Sequence, residues 1–264
     1  MAHPLMSVAV VAGLFGLMVG SHLTLVSHRA PIGEPLTHSA PHCPSCHARV
    51  RARDEIPVLS FLVLKGRCRA CGSPISARYP LIELSTGAVF AAIGLRFAPS
   101  FALLGELVAF AGLLALAVTD VEHRLVPRRI VYAVAVAVCA VRLVAAAVPY
   151  GAPSDLWRRL LVSLAVGATA TAIFWAVHAV TPSGLRFGDV RVAGLVGLVL
   201  GWASPLTAFA GFVVALALGV AWGAVLSARR RTTRVAVPLA PFLAAGSLAA
   251  VMVPTSTITS IFAR

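Results

Sequence analysis

Two carboxylates stand where long apolar runs meet short basic loops. Asp120 and Asp189 are two of only four aspartates in the chain. The first lies in Leu116-Ala117-Val118-Thr119-Asp120-Val121-Glu122-His123-Arg124-Leu125-Val126-Pro127, at the end of an apolar run that begins near Phe101. The second lies in Gly184-Leu185-Arg186-Phe187-Gly188-Asp189-Val190-Arg191, just ahead of another apolar run. Carboxylates at such positions are costly and point to function. Brought together, the two would share one proton and hold a water between them, because like charges at close range resist ionising both. That is the chemistry of an aspartic protease. Each also has a plainer alternative: Asp120 as a solvated helix end, and Asp189 as a cap whose carboxylate satisfies free N–H groups of the next helix.

A second constellation is Cys43-Pro44-Ser45-Cys46 and Cys68-Arg69-Ala70-Cys71, with 21 residues between the pairs. Four thiolates from two tight turns make a closed tetrahedral site, so Cys43, Cys46, Cys68 and Cys71 are expected to hold a structural Zn²⁺. An Fe–S cluster or a redox dithiol is the alternative. Pro44 and Gly72 suit the turns, His42 and His47 are read as bystanders, and Cys139 is a small apolar residue in an apolar run. The metal is expected to fold a module too small to have its own core, not to catalyse.

These groups must be positioned by a very apolar chain. It has 264 residues, 59% of them hydrophobic, and a mean hydropathy of +0.92. That is too apolar for one soluble core, and the expected fold class is an all-α polytopic membrane protein. Apolar windows at about 5–27, 81–97, 101–119, 130–149, 157–180, 190–203, 205–227 and 237–262 give about eight transmembrane helices. The first window has no Lys or Arg before it and no clear cleavage site, so it reads as an uncleaved helix. The connectors Ala98-Pro99-Ser100, Pro149 to Asp155 and Ala203-Ser204-Pro205 read as turns.

The net charge of +13 does not point to nucleic acid. Basic residues collect at Arg29 to Arg78, Asp120 to Arg129, Arg186 to Arg191 and Arg229 to Arg234, 17 of the 22 in all, as loops on the cytoplasmic side of a membrane do. They also lack the interleaved aromatics of a single-strand binding surface. The N-terminus is then outside, and the segment from about Ser27 to Pro80 is a small cytoplasmic module after the first helix. Glu83 is expected at a cytoplasmic helix end in contact with a basic loop, with a role in substrate or methyl-donor handling as the alternative, Glu106 near the outer end as a structural residue, Glu122 and His123 in a solvated loop, and His178 as a satisfied interfacial histidine.

Together these segments resemble the type IV prepilin peptidases, the leader peptidase and N-methyltransferase family of GxGD-type intramembrane aspartic proteases. The resemblance runs through Cys43-Pro44-Ser45-Cys46, Ile56-Pro57-Val58-Leu59-Ser60-Phe61, Gly66 to Gly72 and Ile75 to Leu84. Asp120 with Val126-Pro127 is similar to the first aspartate motif, Gly188-Asp189-Val190-Arg191 to the second, and Pro238 to Gly246 to the last-helix segment. The chain departs from the family in having Arg186 for the usual glycine, Arg191 for a common lysine, and His22-Leu23-Thr24 for Phe-Leu-Asn.

The resemblance implies Asp120 and Asp189 as catalytic residues, with Gly188 and Arg191 in the supporting loop. It implies three parts: a first helix at 1–27, a zinc-binding, methyltransferase-associated domain at 28–80, and a peptidase domain at 81–264. The substrates would be type IV prepilins or pseudopilins, cleaved after a Gly at the cytoplasmic face of a bacterial inner membrane. The new N-terminus would be methylated from S-adenosylmethionine, although no glycine-rich nucleotide loop is visible. Two other classes fit the same residues: a proton- or cation-coupled transporter using both aspartates, and an inactive zinc-stapled scaffold for pilus assembly. No internal hydropathy repeat supports a transporter.

Overall fold

The computed structural model describes residues 2–29, 42–97, 101–147, 153–181, 184–232 and 236–262. The expected turn at Ala98-Pro99-Ser100 and the first part of that at Pro149 to Asp155 lie outside them. The helices are α1 (Ala2–Arg29), α2 (Leu59–Val63), α3 (Arg78–Arg96), α4 (Phe101–His123), α5 (Arg128–Ala147), α6 (Pro153–Val180), α7 (Phe187–Gly201), α8 (Pro205–Arg230), α9 (Ala240–Met252) and α10 (Thr255–Phe262). Among the described residues the extended pairing consists of two isolated bridges, His42 with Arg49 and Arg67 with Pro74.

Every apolar window became helix, with one correction of form. The window at 237–262 is broken at Val253-Pro254, because proline lacks an N–H and pushes the residue before it out of helical geometry. Val253 accordingly sits at φ −87° and ψ 129°. Four helices are long and apolar enough to cross a membrane: Leu5–Ser27, Ala102–His123, Leu156–Val180 and Pro205–Arg230. The others are less clear-cut. Glu83 interrupts α3 and Arg96 ends it, Arg142 interrupts α5, and α7 and α9 have 15 and 13 residues against the roughly 20 that span a bilayer. The fold is thus all-helical and multi-pass, and four of the eight expected windows have the length and apolarity of a span among the described residues.

The chain divides into two compact units, Met1–Ala98 and Pro99–Arg264. In the first, α1 lies along α3 through small residues. A Cβ on Gly16 would fall 2.7 Å from Phe90 Cβ, and one on Gly20 would fall 2.7 Å from Glu83 Cα, so glycine there sets how closely the helices approach. Between α1 and α3 the chain makes the two cysteine turns, a 3-10 turn at Ala52–Asp54 and the short α2.

In the second unit, α6 packs on α7, α8 on α9, and α4 on both α5 and α9. Its core includes Phe110, Leu113, Leu116, Val138, Val190, Val192, Leu200 and Leu243. Large apolar side chains such as Leu161, Ile173, Val180 and Val220 are exposed, while Glu106, Thr119, Arg142, Ser163 and Ser247 are buried. Large apolar side chains on the outside, with charged and hydroxyl groups buried within the apolar core, suit lipid surroundings.

Candidate active site and metal centre

Both aspartates lie in the second unit, and both are buried, Asp120 in the last turn of α4 and Asp189 in the first turn of α7. The fold brings them within electrostatic reach of one another. Each is anchored by a helix N-terminus. Asp120 Oδ2 accepts from the N–H of Ala240, the first residue of α9, at 3.0 Å, and the Leu239 N–H also bonds this carboxylate. Asp189 Oδ2 accepts from the Arg186 N–H at 2.9 Å, while the Asp189 N–H donates to the Arg186 carbonyl at 3.0 Å. Asp189 is therefore not the cap residue itself. It is the third residue of α7 and reaches back to the cap, because the helix already begins at Phe187. The positive ends of two helix dipoles converge on the pair.

Three inter-helix segments are tied together around these carboxylates. The Arg186 guanidinium donates to the Arg124 carbonyl at 2.5 Å, and the Arg124 guanidinium donates to the Ala236 carbonyl at 3.0 Å. Arg124 closes α4 in the left-handed region, with φ 55°. The charges of Arg124 and Arg186 act on Asp120, and that of Arg186 acts on Asp189. His178, expected to be satisfied, donates Nδ1–H to the Leu185 carbonyl at 2.6 Å and lies beside the Phe187 ring.

Gly188 sits under Val126, and a Cβ there would lie 2.9 Å from Val126 Cβ. The glycine before one aspartate thus packs on the Val-Pro that follows the other. Arg191 is turned away from this web: its guanidinium stacks over Phe187 at 4.5 Å, and its buried Nε has no hydrogen-bond partner. Sequence reasoning missed Arg124, Arg186 and Leu239-Ala240 as parts of the site. A basic residue beside each aspartate was the available signal for the first two. Two backbone amides more than a hundred residues downstream carried none.

In the first unit the two cysteine turns repeat one another bond for bond. Cys43 N–H donates to Ala48 O at 2.9 Å and His47 N–H to Cys43 O at 2.9 Å, while Cys68 N–H donates to Ser73 O at 2.8 Å and Gly72 N–H to Cys68 O at 2.9 Å. Both turns place their fifth residue in the left-handed region, His47 at φ 56° and Gly72 at φ 72°. His47 is thus a bystander to the sulfurs but holds the turn position that glycine fills in the other copy.

The four sulfurs lie within 4.8 Å of one another, and Cys43 and Cys71 are 3.9 Å apart. Tetrahedral Zn²⁺ at about 2.3 Å from each sulfur sets sulfur pairs about 3.8 Å apart, so the group fits such an ion. All four are free thiols. Backbone N–H groups of Cys46 and Ser45, helped by the Ser73 hydroxyl, hold the Cys43 thiol down to about 5. The Ser73 hydroxyl likewise lowers Cys71, at 3.0 Å. At Cys46 the Ala48 N–H pulls downward, but the neighbouring Cys71 sulfur and burial outweigh it and push the thiol up to about 11. A cation is what would let all four ionise together.

Two further acidic residues are accounted for. Glu83 accepts from the Val58 N–H at 2.7 Å and from Ser21, so it ties the start of α2 to α3 in place of meeting a basic loop. Glu106 pairs with Arg142 at 3.6 Å, and Arg142 donates to the carbonyls of Leu198 at 2.7 Å and Val199 at 2.9 Å and to Ser163 at 3.2 Å. Arg142 is a lone cation in the interior of an otherwise apolar window.

Residues 14–97 match the Bacterial Peptidase A24 N-terminal domain, and residues 107–220 match the Type IV leader peptidase family. The chain is 33% identical over 246 residues to a prepilin leader peptidase/N-methyltransferase of Bacillus subtilis (strain 168), covering 93% of this chain and 94% of that one. A protein of the same name from Klebsiella pneumoniae is 37% identical over 201 residues, 72% of this chain and 83% of the relative. A third, from Burkholderia pseudomallei (strain 1026b), is 32% identical over 264 aligned positions, 89% and 82%. No solved structure matches the chain. With both matched segments in order, and relatives that align along nearly its whole length, the chain belongs to the type IV leader peptidase family.

Proposed function

We propose that this chain is a membrane-embedded aspartic peptidase that removes the leader of type IV prepilins or pseudopilins, with Asp120 and Asp189 as the catalytic pair. The observation that carries the reading is the convergence of two buried carboxylates, each anchored by a helix N-terminus, within a family of leader peptidases. One carboxylate takes a proton from water as the water oxygen attacks the scissile carbonyl. The other, protonated, stabilises the carbonyl oxygen and then supplies a proton toward the leaving amine. Anchoring one oxygen of each carboxylate fixes its plane before substrate arrives. Gly188, packed under Val126, supports the second aspartate's loop, and Arg191 supports it only through its stacking on Phe187.

In this reading the eight apolar segments all lie within the membrane of a bacterial inner membrane protein, and the basic loops, both aspartates and residues 28–80 face the cytoplasm. The peptidase part lies within 81–264. Cys43, Cys46, Cys68 and Cys71 hold a structural Zn²⁺ that closes the module, supported by the donor set and the sulfur spacing. Methylation of the new N-terminus from S-adenosylmethionine rests on the relatives, each named as an N-methyltransferase as well. The transporter and scaffold readings gain no support from them.

The test is mass spectrometry of a candidate pilin from cells with and without this chain. Loss of the leader mass that depends on the chain, and on both aspartates, is the expected result. Full processing in its absence would refute the assignment, and a shortened pilin without an added methyl group would retain the peptidase and remove the transferase.

A further inference from the structure

A cleft of about 280 Å³ runs between α5 and α6 and is floored by α7. Its lining changes with depth. Tyr132, Trp175 and Arg191 lie near the mouth, each four or five residues, or about 6–8 Å, from the end of its helix. Deeper in, Ala135, Leu195 and Leu198 make the walls apolar. Trp and Tyr at one level, with a cation beside them, mark the boundary between headgroups and acyl chains.

The mouth is built for an anion. The central carbon of the Arg191 guanidinium lies over the Phe187 ring, 4.5 Å from its centroid, and the buried Nε has no hydrogen-bond partner within the chain. Arg128 and Arg129 are exposed at the start of α5, one turn before Tyr132, and no carboxylate lines the cleft. An α-helix about 10 Å across with its side chains would not enter a space this small, whereas one hydrocarbon chain does.

We propose that this cleft binds an anionic phospholipid, with its phosphate on Arg191 beneath the Arg128–Arg129 rim and an acyl chain along Ala135, Leu195 and Leu198. The inference rests on the multi-pass reading of the helices, not on the peptidase activity. Because Arg191 is two residues beyond Asp189 on the same helix turn, the lipid would steady the start of α7.

Trp175 is a built-in reporter. In the full chain carrying Trp157→Phe, Trp202→Phe and Trp222→Phe, reconstituted in phosphatidylcholine vesicles, its quenching by chain-brominated phosphatidylglycerol is compared with that by chain-brominated phosphatidylcholine. The expected preference for the anionic lipid is about fivefold or more, the effect of an arginine at an anionic surface. It should fall toward one in Arg191→Gln, which removes the phosphate partner, and in Ala135→Phe, which fills the cleft and leaves the arginines. Equal quenching by the two lipids in the parent would overturn the proposal, as would a preference that survives both variants. Protection by inorganic phosphate alone would leave a free-anion site, and stoichiometric displacement by an apolar helical peptide would assign the cleft to substrate; either result also overturns it.

Discussion

At the scale of residues, the two aspartates are held by backbone, and the variants should show it. Asp120→Asn and Asp189→Asn keep shape and remove ionisation, so each should lower prepilin cleavage by roughly 10²-fold or more, measured on purified protein with a prepilin peptide. Arg186 separates side chain from backbone. Arg186→Gly keeps the N–H that bonds Asp189 and should retain cleavage within several-fold, whereas Arg186→Pro removes that donor and should cost roughly tenfold or more, as loss of a hydrogen bond to a charged group does. An equal and marked loss in the two would place the weight on the guanidinium and its bond to the Arg124 carbonyl. The aspartates themselves were legible from residue type and flanking pattern. Their anchors were not, since a backbone amide has no side-chain signature.

At the scale of elements, the cysteine turns and the Gly188 contact make separate predictions. His47 occupies a left-handed position that Gly72 fills in the second turn, so His47→Gly should stabilise the module by about 1 kcal/mol, seen as a higher melting temperature with zinc content unchanged. Elsewhere in the module, Arg69 grips Asp54 with three bonds, at 2.7, 2.9 and 3.2 Å, and this holds the Asp54 carboxyl below its usual range. A depressed carboxylate contributes stability above its unfolded value of about 3.9 and loses it as pH falls through the lower folded value. The melting difference between the parent and Arg69→Ala should therefore be constant above about pH 5 and shrink on acidification below about pH 4. At the active-site end, Gly188→Ala would place a methyl against Val126 and should reduce cleavage, although alanine is otherwise the better helix former by about 1 kcal/mol. Adding Val126→Gly should restore activity. If it does not, the contact is not what Gly188 serves.

At the scale of the molecule, one buried cation gathers helices at the end of the second unit away from the aspartates. Arg142 of α5 meets Glu106 of α4, Ser163 of α6 and two carbonyls of α7, and lies over Trp202 at 4.8 Å. Removing one partner of a buried pair leaves the other charge uncompensated, so Arg142→Met should destabilise the chain in detergent by about 3–5 kcal/mol, and Glu106→Gln should recover part of that loss in the double variant. Topology decides whether the paired-aspartate mechanism holds at all. Cysteines introduced at Arg128 and Arg229 should label from one face and one at exposed Ala203 from the other, in a background with native thiols blocked. Labelling of 128 and 203 from the same face would break the paired site's topology.

The sequence alone determined the helical, apolar character, the cysteine group that could hold a metal and the two carboxylates proposed as the reactive pair. Each depends on composition or on spacing within a few residues: a run of apolar side chains, Cys-x-x-Cys turns, an aspartate at the edge of an apolar run. It could not reveal that Asp120 accepts from Ala240, that Gly188 lies under Val126 or that Arg142 bonds the carbonyls of α7, because these partners are 120, 62 and 56 residues apart. Of the eight windows it marked as spans, four form helices long and apolar enough to cross a bilayer by length and composition. Local chemistry is written in neighbouring residues. The distance between two carboxylates is set by how helices far apart in the chain close on each other, and that was decided by tertiary structure.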